Sequence, residues 1–83
     1  MGEVLIDKNT GEAKLILDTS FYGYGAILAA GKDYLKSCWV FIDGDLNDKI
    51  LVTLKPKSEE VSLDYVGYEF ANYVLGLMQN AIF

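Results

Sequence analysis

From Leu63 to Ala81, apolar or small residues recur at steps of three and four: Leu63, Val66, Gly67, Phe70, Ala71, Val74, Leu77, Met78 and Ala81. That spacing is one face of an α-helix sustained over several turns. Ser62 or Asp64 supplies a capping side chain at its start. Upstream, Lys49 to Lys55 alternates, with Ile50, Val52 and Leu54 on one side and Lys49, Leu51, Thr53 and Lys55 on the other. This is a half-buried strand, paired antiparallel to Ser37–Asp43 through the turn residues Gly44-Asp45-Leu46-Asn47-Asp48. Pro56 ends it, because proline cannot donate to a ladder. Cys38 to Ile42 is apolar on both faces, which predicts a central strand.

The N-terminal part repeats the same grammar. Glu3–Asp7 alternates around Val4 and Ile6, Lys8-Asn9-Thr10-Gly11 is a turn cluster, and Glu12–Asp18 carries Leu15 and Leu17. A β-hairpin is the reading, with Gly11 at the place where a positive φ is needed; one bent strand is the alternative. Asp18-Thr19-Ser20 offers capping chemistry ahead of a helix between Tyr24 and Leu35. On it Ile27, Leu28, Gly31, Tyr34 and Leu35 share a face, while Ala26, Ala29 and Ala30 supply propensity. Gly31 lies on that stripe, where a close approach to the sheet would account for it. The order is β-β-α-β-β-α. The economical fold is an α+β two-layer sandwich, a single domain over residues 1–83, with a mostly antiparallel small sheet and two helices on one face.

Composition narrows the chemistry. Eighty-three residues form one small core that buries only about 60% of the unfolded surface. Yet 52% of the residues are hydrophobic and 13% aromatic. That surplus favours association, including a homodimer. The lone Cys38 excludes an intramolecular disulfide and fits a reducing, cytoplasmic setting. A net charge of −5 with dispersed lysines argues against nucleic-acid binding. Arg and His are absent, which removes the bidentate fork, the imidazole base and the imidazole metal ligand. No stretch reads as a signal peptide or as a span of roughly 18 apolar residues, so no membrane partner is expected.

Three partial motifs have simpler structural explanations. Gly23-Tyr24-Gly25, with Asp43 further on, mimics a dinucleotide fingerprint, but Leu28 stands where the third glycine belongs. Asp43, Asp45, Asn47 and Asp48 resemble the start of a calcium loop, but Asp48 and Leu54 replace the required Gly and Glu. Cys38 has no histidine to activate it and reads as a small buried hydrophobe. No cofactor, metal or catalytic residue is assigned.

The last helix holds the best candidate surface. Tyr65, Tyr68, Glu69, Asn72, Leu75 and Gln79 form a second, semi-apolar flank, and tyrosines give rigid contact area with a polar tip. Glu69 stands beside the buried stripe with Tyr65, Tyr68, Asn72 and Tyr73 within a turn. It is either a hydrogen-bond hub or a recognition group, and the hub reading is favoured because a half-covered carboxylate needs partners in any case.

Three stretches together resemble a known family. They are Phe21-Tyr22 leading into the Ala-rich helix, the strand Ile50-Leu51-Val52-Thr53-Leu54-Lys55-Pro56-Lys57, and the helix Tyr68-Glu69-Phe70-Ala71-Asn72-Tyr73-Val74-Leu75. From about Leu15 to Gln79 the chain resembles the HxsD-like proteins of the His-Xaa-Ser system. Glu69, Phe70 and Asn72 match the motif of that family's C-terminal helix. Relatives often carry basic residues after this helix, whereas here Gln79-Asn80-Ala81-Ile82-Phe83 contains no Arg. The resemblance implies an accessory role beside a radical S-adenosylmethionine protein that modifies peptides. The expected function is a small, non-enzymatic interaction domain that binds a protein, a peptide or a second copy of itself. The competing reading is a ligand-binding protein or enzyme that uses Glu69 and the nearby tyrosines.

Overall fold

Two β-hairpins and two helices build one sheet with a helical layer on one side. The computed structural model describes residues 3–44 and 48–80. The expected turn residues 45–47, with Asp45 and Asn47 of the candidate calcium loop, and Ala81 of the apolar stripe lie outside the described residues. The elements are β1 (Glu3–Asp7), β2 (Glu12–Asp18), α1 (Tyr24–Tyr34), β3 (Cys38–Gly44), β4 (Lys49–Pro56) and α2 (Leu63–Asn80). All strand pairs are antiparallel, in the spatial order β1-β2-β4-β3. This is the α+β fold and the β-β-α-β-β-α order that the patterning predicts.

Local chemistry makes the first hairpin. Asp7 turns the chain by accepting hydrogen bonds on Oδ1 from the backbone N–H groups of Asn9 and Thr10, at 3.0 and 3.3 Å. Gly11 takes φ 71°, the left-handed conformation that glycine adopts without steric cost. Alternation then fixes the faces. Ala13, Leu15 and Leu17 of β2, Cys38 of β3, and Ile50, Val52 and Leu54 of β4 are all buried beneath the helices. α2 presses Val66, Phe70 and Val74 onto this layer, as its stripe predicts. Ser62 starts α2, its Oγ accepting from the Tyr65 N–H at 3.5 Å.

Two close approaches set the layer spacing. A Cβ on Gly31 would lie 3.0 Å from Ile42 Cδ1, so α1 packs tightly over β3, as its place on the stripe predicts. A Cβ on Gly67 would lie 2.6 Å from Val4 Cγ1, so α2 rides equally close to β1.

Three expectations need correction. β3 is an edge strand; β2 and β4 are the central pair. Its second face turns Trp39 and Phe41 to the exposed outer side of the sheet rather than under a second helical layer. On α1, Leu28 and Leu35 are exposed, and Ala26 and Ala30 take the buried places beside Ile27, Gly31 and Tyr34. Small side chains let this helix sit low on the sheet. Asp18 does not cap α1, which starts five residues later at an N-cap, Gly23, without a side-chain bond. Instead its Oδ1 accepts from the Ser20 N–H at 2.8 Å and its carbonyl accepts from Phe21 and Tyr22, making a turn. That bond to Ser20 holds the Asp18 carboxyl below its ordinary pKa. β4 ends at Pro56 as expected, with Pro56 paired to Cys38 and one further bond from the Lys57 N–H to the Ser37 carbonyl.

Candidate interaction surface

The helix pair positions the sequence-predicted residues. Near one end, the Gly23 N–H at the start of α1 donates to Met78 Sδ of α2 at 3.3 Å. Near the other, Tyr34 at the end of α1 packs edge-on against Phe70 and Tyr73, with ring centroids at 5.0 and 5.5 Å. The helices are therefore antiparallel neighbours. α1 covers β3, while α2 covers β1, β2 and β4.

This arrangement sorts the candidate flank into two groups. Tyr65, Tyr68, Asn72, Leu75 and Gln79 all point outward, with Tyr65 63% and Tyr68 61% exposed. Their spacing of three and four makes a continuous stripe on the far side of α2 from the sheet. Glu69 turns toward α1. The Tyr34 hydroxyl donates to Glu69 Oε1 at 3.0 Å. Burial and this carboxylate together hold the Tyr34 hydroxyl well above its ordinary pKa. Hydrogen bonding to Glu69, one helical turn on, raises the Tyr65 hydroxyl as well. Beside them the Tyr73 hydroxyl donates to Asp33 Oδ2 of α1, and that bond raises its pKa.

Glu69 thus sits at a seam between helices. It lines neither of two surface hollows on the sheet side of the molecule. One, of about 480 Å³, is lined by Leu5 to Asn9 and Lys14. The other, of about 760 Å³, lies between the first turn, Trp39 and the β4–α2 connection. At its rim the Lys57 ammonium sits 4.6 Å from the centre of the Trp39 ring and donates to the Leu35 carbonyl at 2.8 Å. Cys38 is buried, and desolvation pushes its thiol above its ordinary pKa. Such a thiol is a poor nucleophile. Among the described residues, no helix is long and apolar enough to cross a membrane, and no group of three or more acids or thiols is placed to hold a metal ion.

Sequence reasoning missed two features. Tyr34 stood on the buried stripe of α1, and its polar tip was the signal that a partner had to be found nearby. The other is the outer face of the sheet. Leu5, Trp39 and Phe41 are 51%, 56% and 59% exposed there, beside half-exposed Ile16 and Leu51. The signal was present in the apolar second face of β3.

No protein-family model matches the chain, and neither a curated protein nor a solved structure does.

Proposed function

We propose that this chain is a non-enzymatic interaction domain whose outward stripe on α2 docks a protein partner. The observation that carries the reading is the exposure of Tyr65 and Tyr68 on a helix already anchored by its opposite face. Amphipathic rings held on a rigid helix lose little entropy on binding and fill a partner's groove at successive turns. Leu75 adds an apolar contact farther along, with Asn72 and Gln79 as polar flankers. Glu69 supports the stripe from behind, through its bond to Tyr34, in keeping with the hub role.

The resemblance to HxsD-like proteins gives the partner a class. On that reading the domain is an accessory to a radical S-adenosylmethionine protein that modifies a peptide, acting in the cytoplasm. The test is calorimetric titration of the purified chain with a radical S-adenosylmethionine protein of the class the resemblance implies. Binding that is lost in a Tyr65→Ser/Tyr68→Ser double variant, with an unchanged melting temperature, supports the proposal. Wild-type affinity in the double variant rejects the stripe, and absence of binding by the wild type rejects the partner.

A further inference from the structure

An antiparallel sheet usually turns polar side chains to water, but the outer face of this one also exposes Leu5, Trp39 and Phe41 among its charged residues. Its strand register lays out the residues in rows. One row reads Leu5, Lys14, Thr53, Phe41 across β1, β2, β4 and β3; the next reads Glu3, Ile16, Leu51, Asp43. At one end, one step beyond the Ala13–Leu54 pair, Glu12 lies opposite Lys55, and Trp39 stands next to Lys55. At the other end Asp18 pairs with Lys49. The face is therefore mixed at its centre: Leu5, Ile16, Leu51 and Phe41 are apolar, and Lys14 and Thr53 stand among them on the central strands. The two central strands carry charges of opposite sign at both ends, acids on β2 and lysines on β4.

That distribution is self-complementary under one particular symmetry. We propose that a second copy of this chain covers the face, sheet against sheet, about a two-fold axis parallel to the strands and midway between β2 and β4. This operation lays β2 of one copy over β4 of the other. Glu12 then meets Lys55 of the second copy, Asp18 meets its Lys49, and Ile16 meets its Leu51. Leu5 falls over Phe41 of the second copy, and the position of Glu3 falls over its Asp43, a like-charge match confined to the outer strands. Lys14 falls over Thr53, so no lysine faces a lysine between the central strands. Each contact occurs twice, as an isologous interface requires. A two-fold axis across the strands is worse. It lays Glu12 over Asp18 and Lys55 over Lys49, like charge on like, which selects against that arrangement. Sheets packed face to face sit about 10 Å apart and cross at about 30°, close enough for the rings of Phe41 and Trp39 to fill the gap.

The dimer hides the sheet and leaves α2 outward on both sides. Two copies of the Tyr65–Gln79 stripe are then displayed back to back, so a partner with two docking sites gains avidity.

Sedimentation velocity over a wide concentration series tests the proposal. The wild type should run as a reversible dimer. Glu12→Lys and Lys55→Glu should each raise the dimer dissociation constant about tenfold or more. A one-to-one mixture of the two variants should restore dimers, because each then meets its opposite charge on the other chain. A contact within one chain cannot produce rescue by mixing. Phe41→Ser, a change at a solvent-facing position on the edge strand, should also dissociate the dimer and serves if a charge variant fails to fold. A wild type that is monomeric throughout overturns the proposal. So does a dimer indifferent to Phe41→Ser and to both charge reversals, since pairing through the free edges of β1 or β3 would behave that way.

Discussion

The hydroxyl of Tyr34, on the sheet-facing stripe of α1, donates a 3.0 Å hydrogen bond to Oε1 of Glu69 on α2. Tyr34 is almost wholly buried and also packs edge-on against Phe70, so one side chain closes the seam between the helices by both packing and polarity. The bond satisfies the only polar atom of that side chain and fixes which side of α2 turns toward α1.

Tyr34→Phe should therefore lower stability by about 1 kcal/mol in a urea titration, the ordinary worth of one hydrogen bond with a solvent-exposed acceptor. Glu69→Gln should cost less, because its amide oxygen still accepts from Tyr34. If Glu69→Gln unfolds the protein, the carboxylate carries more than this bond.

Alkaline titration should expose the same contact. The folded Tyr34 hydroxyl has its pKa raised above the ordinary value of 10.0 by burial first and by Glu69 second. The folded state thus holds its proton more tightly than the unfolded state. The stabilisation is complete below pH 10 and is lost as pH rises from there toward the folded pKa. Melting temperature should fall in that window for the wild type and fall less steeply for Tyr34→Phe.

The two glycines inside α2 should respond with opposite signs. Gly67→Ala drives a methyl group into Val4 of β1, and overpacking of this kind costs about 1–3 kcal/mol. That exceeds the gain of roughly 0.5–1 kcal/mol from replacing a helical glycine. Gly76→Ala meets no atom within 4 Å and should show the gain alone. Adding Val4→Ala to Gly67→Ala should recover part of the loss, and a denaturation series over the variants reads all of these changes.

Phe70→Ala removes a fully buried ring at the junction of both helices with the sheet and should cost about 3–5 kcal/mol. A melting temperature that barely moves would show that α2 faces the sheet with another side.

Cys38 should resist modification in the native protein, because burial both shields the thiol and disfavours the thiolate. Its reaction with an aromatic disulfide reagent should be slow without denaturant and fast in urea. Equal rates in both conditions would contradict its burial.

Much of this architecture was legible in the chain. Periods of two and of three to four placed each element, and they separated Val66, Phe70 and Val74 from Tyr65, Tyr68 and Asn72. The turn chemistry of Asp7 and Gly11 is local and was readable for that reason. The face of α1 was less so. Leu28 and Leu35 are as apolar as Ile27, and only the close approach at Gly31 chose Ala26 and Ala30 for burial instead.

The residues alone determined which segments become helices and strands, their order, and the alternation of faces, because each depends on neighbours a few positions apart. Tertiary structure decided that β2 joins β4 and leaves β3 at an edge, that Glu69 meets Tyr34, and that Leu5, Trp39 and Phe41 stay uncovered on the outer face of the sheet. Those outcomes join residues tens of positions apart. An alternating pattern marks two sides of a strand, but only packing determines which side the helices cover.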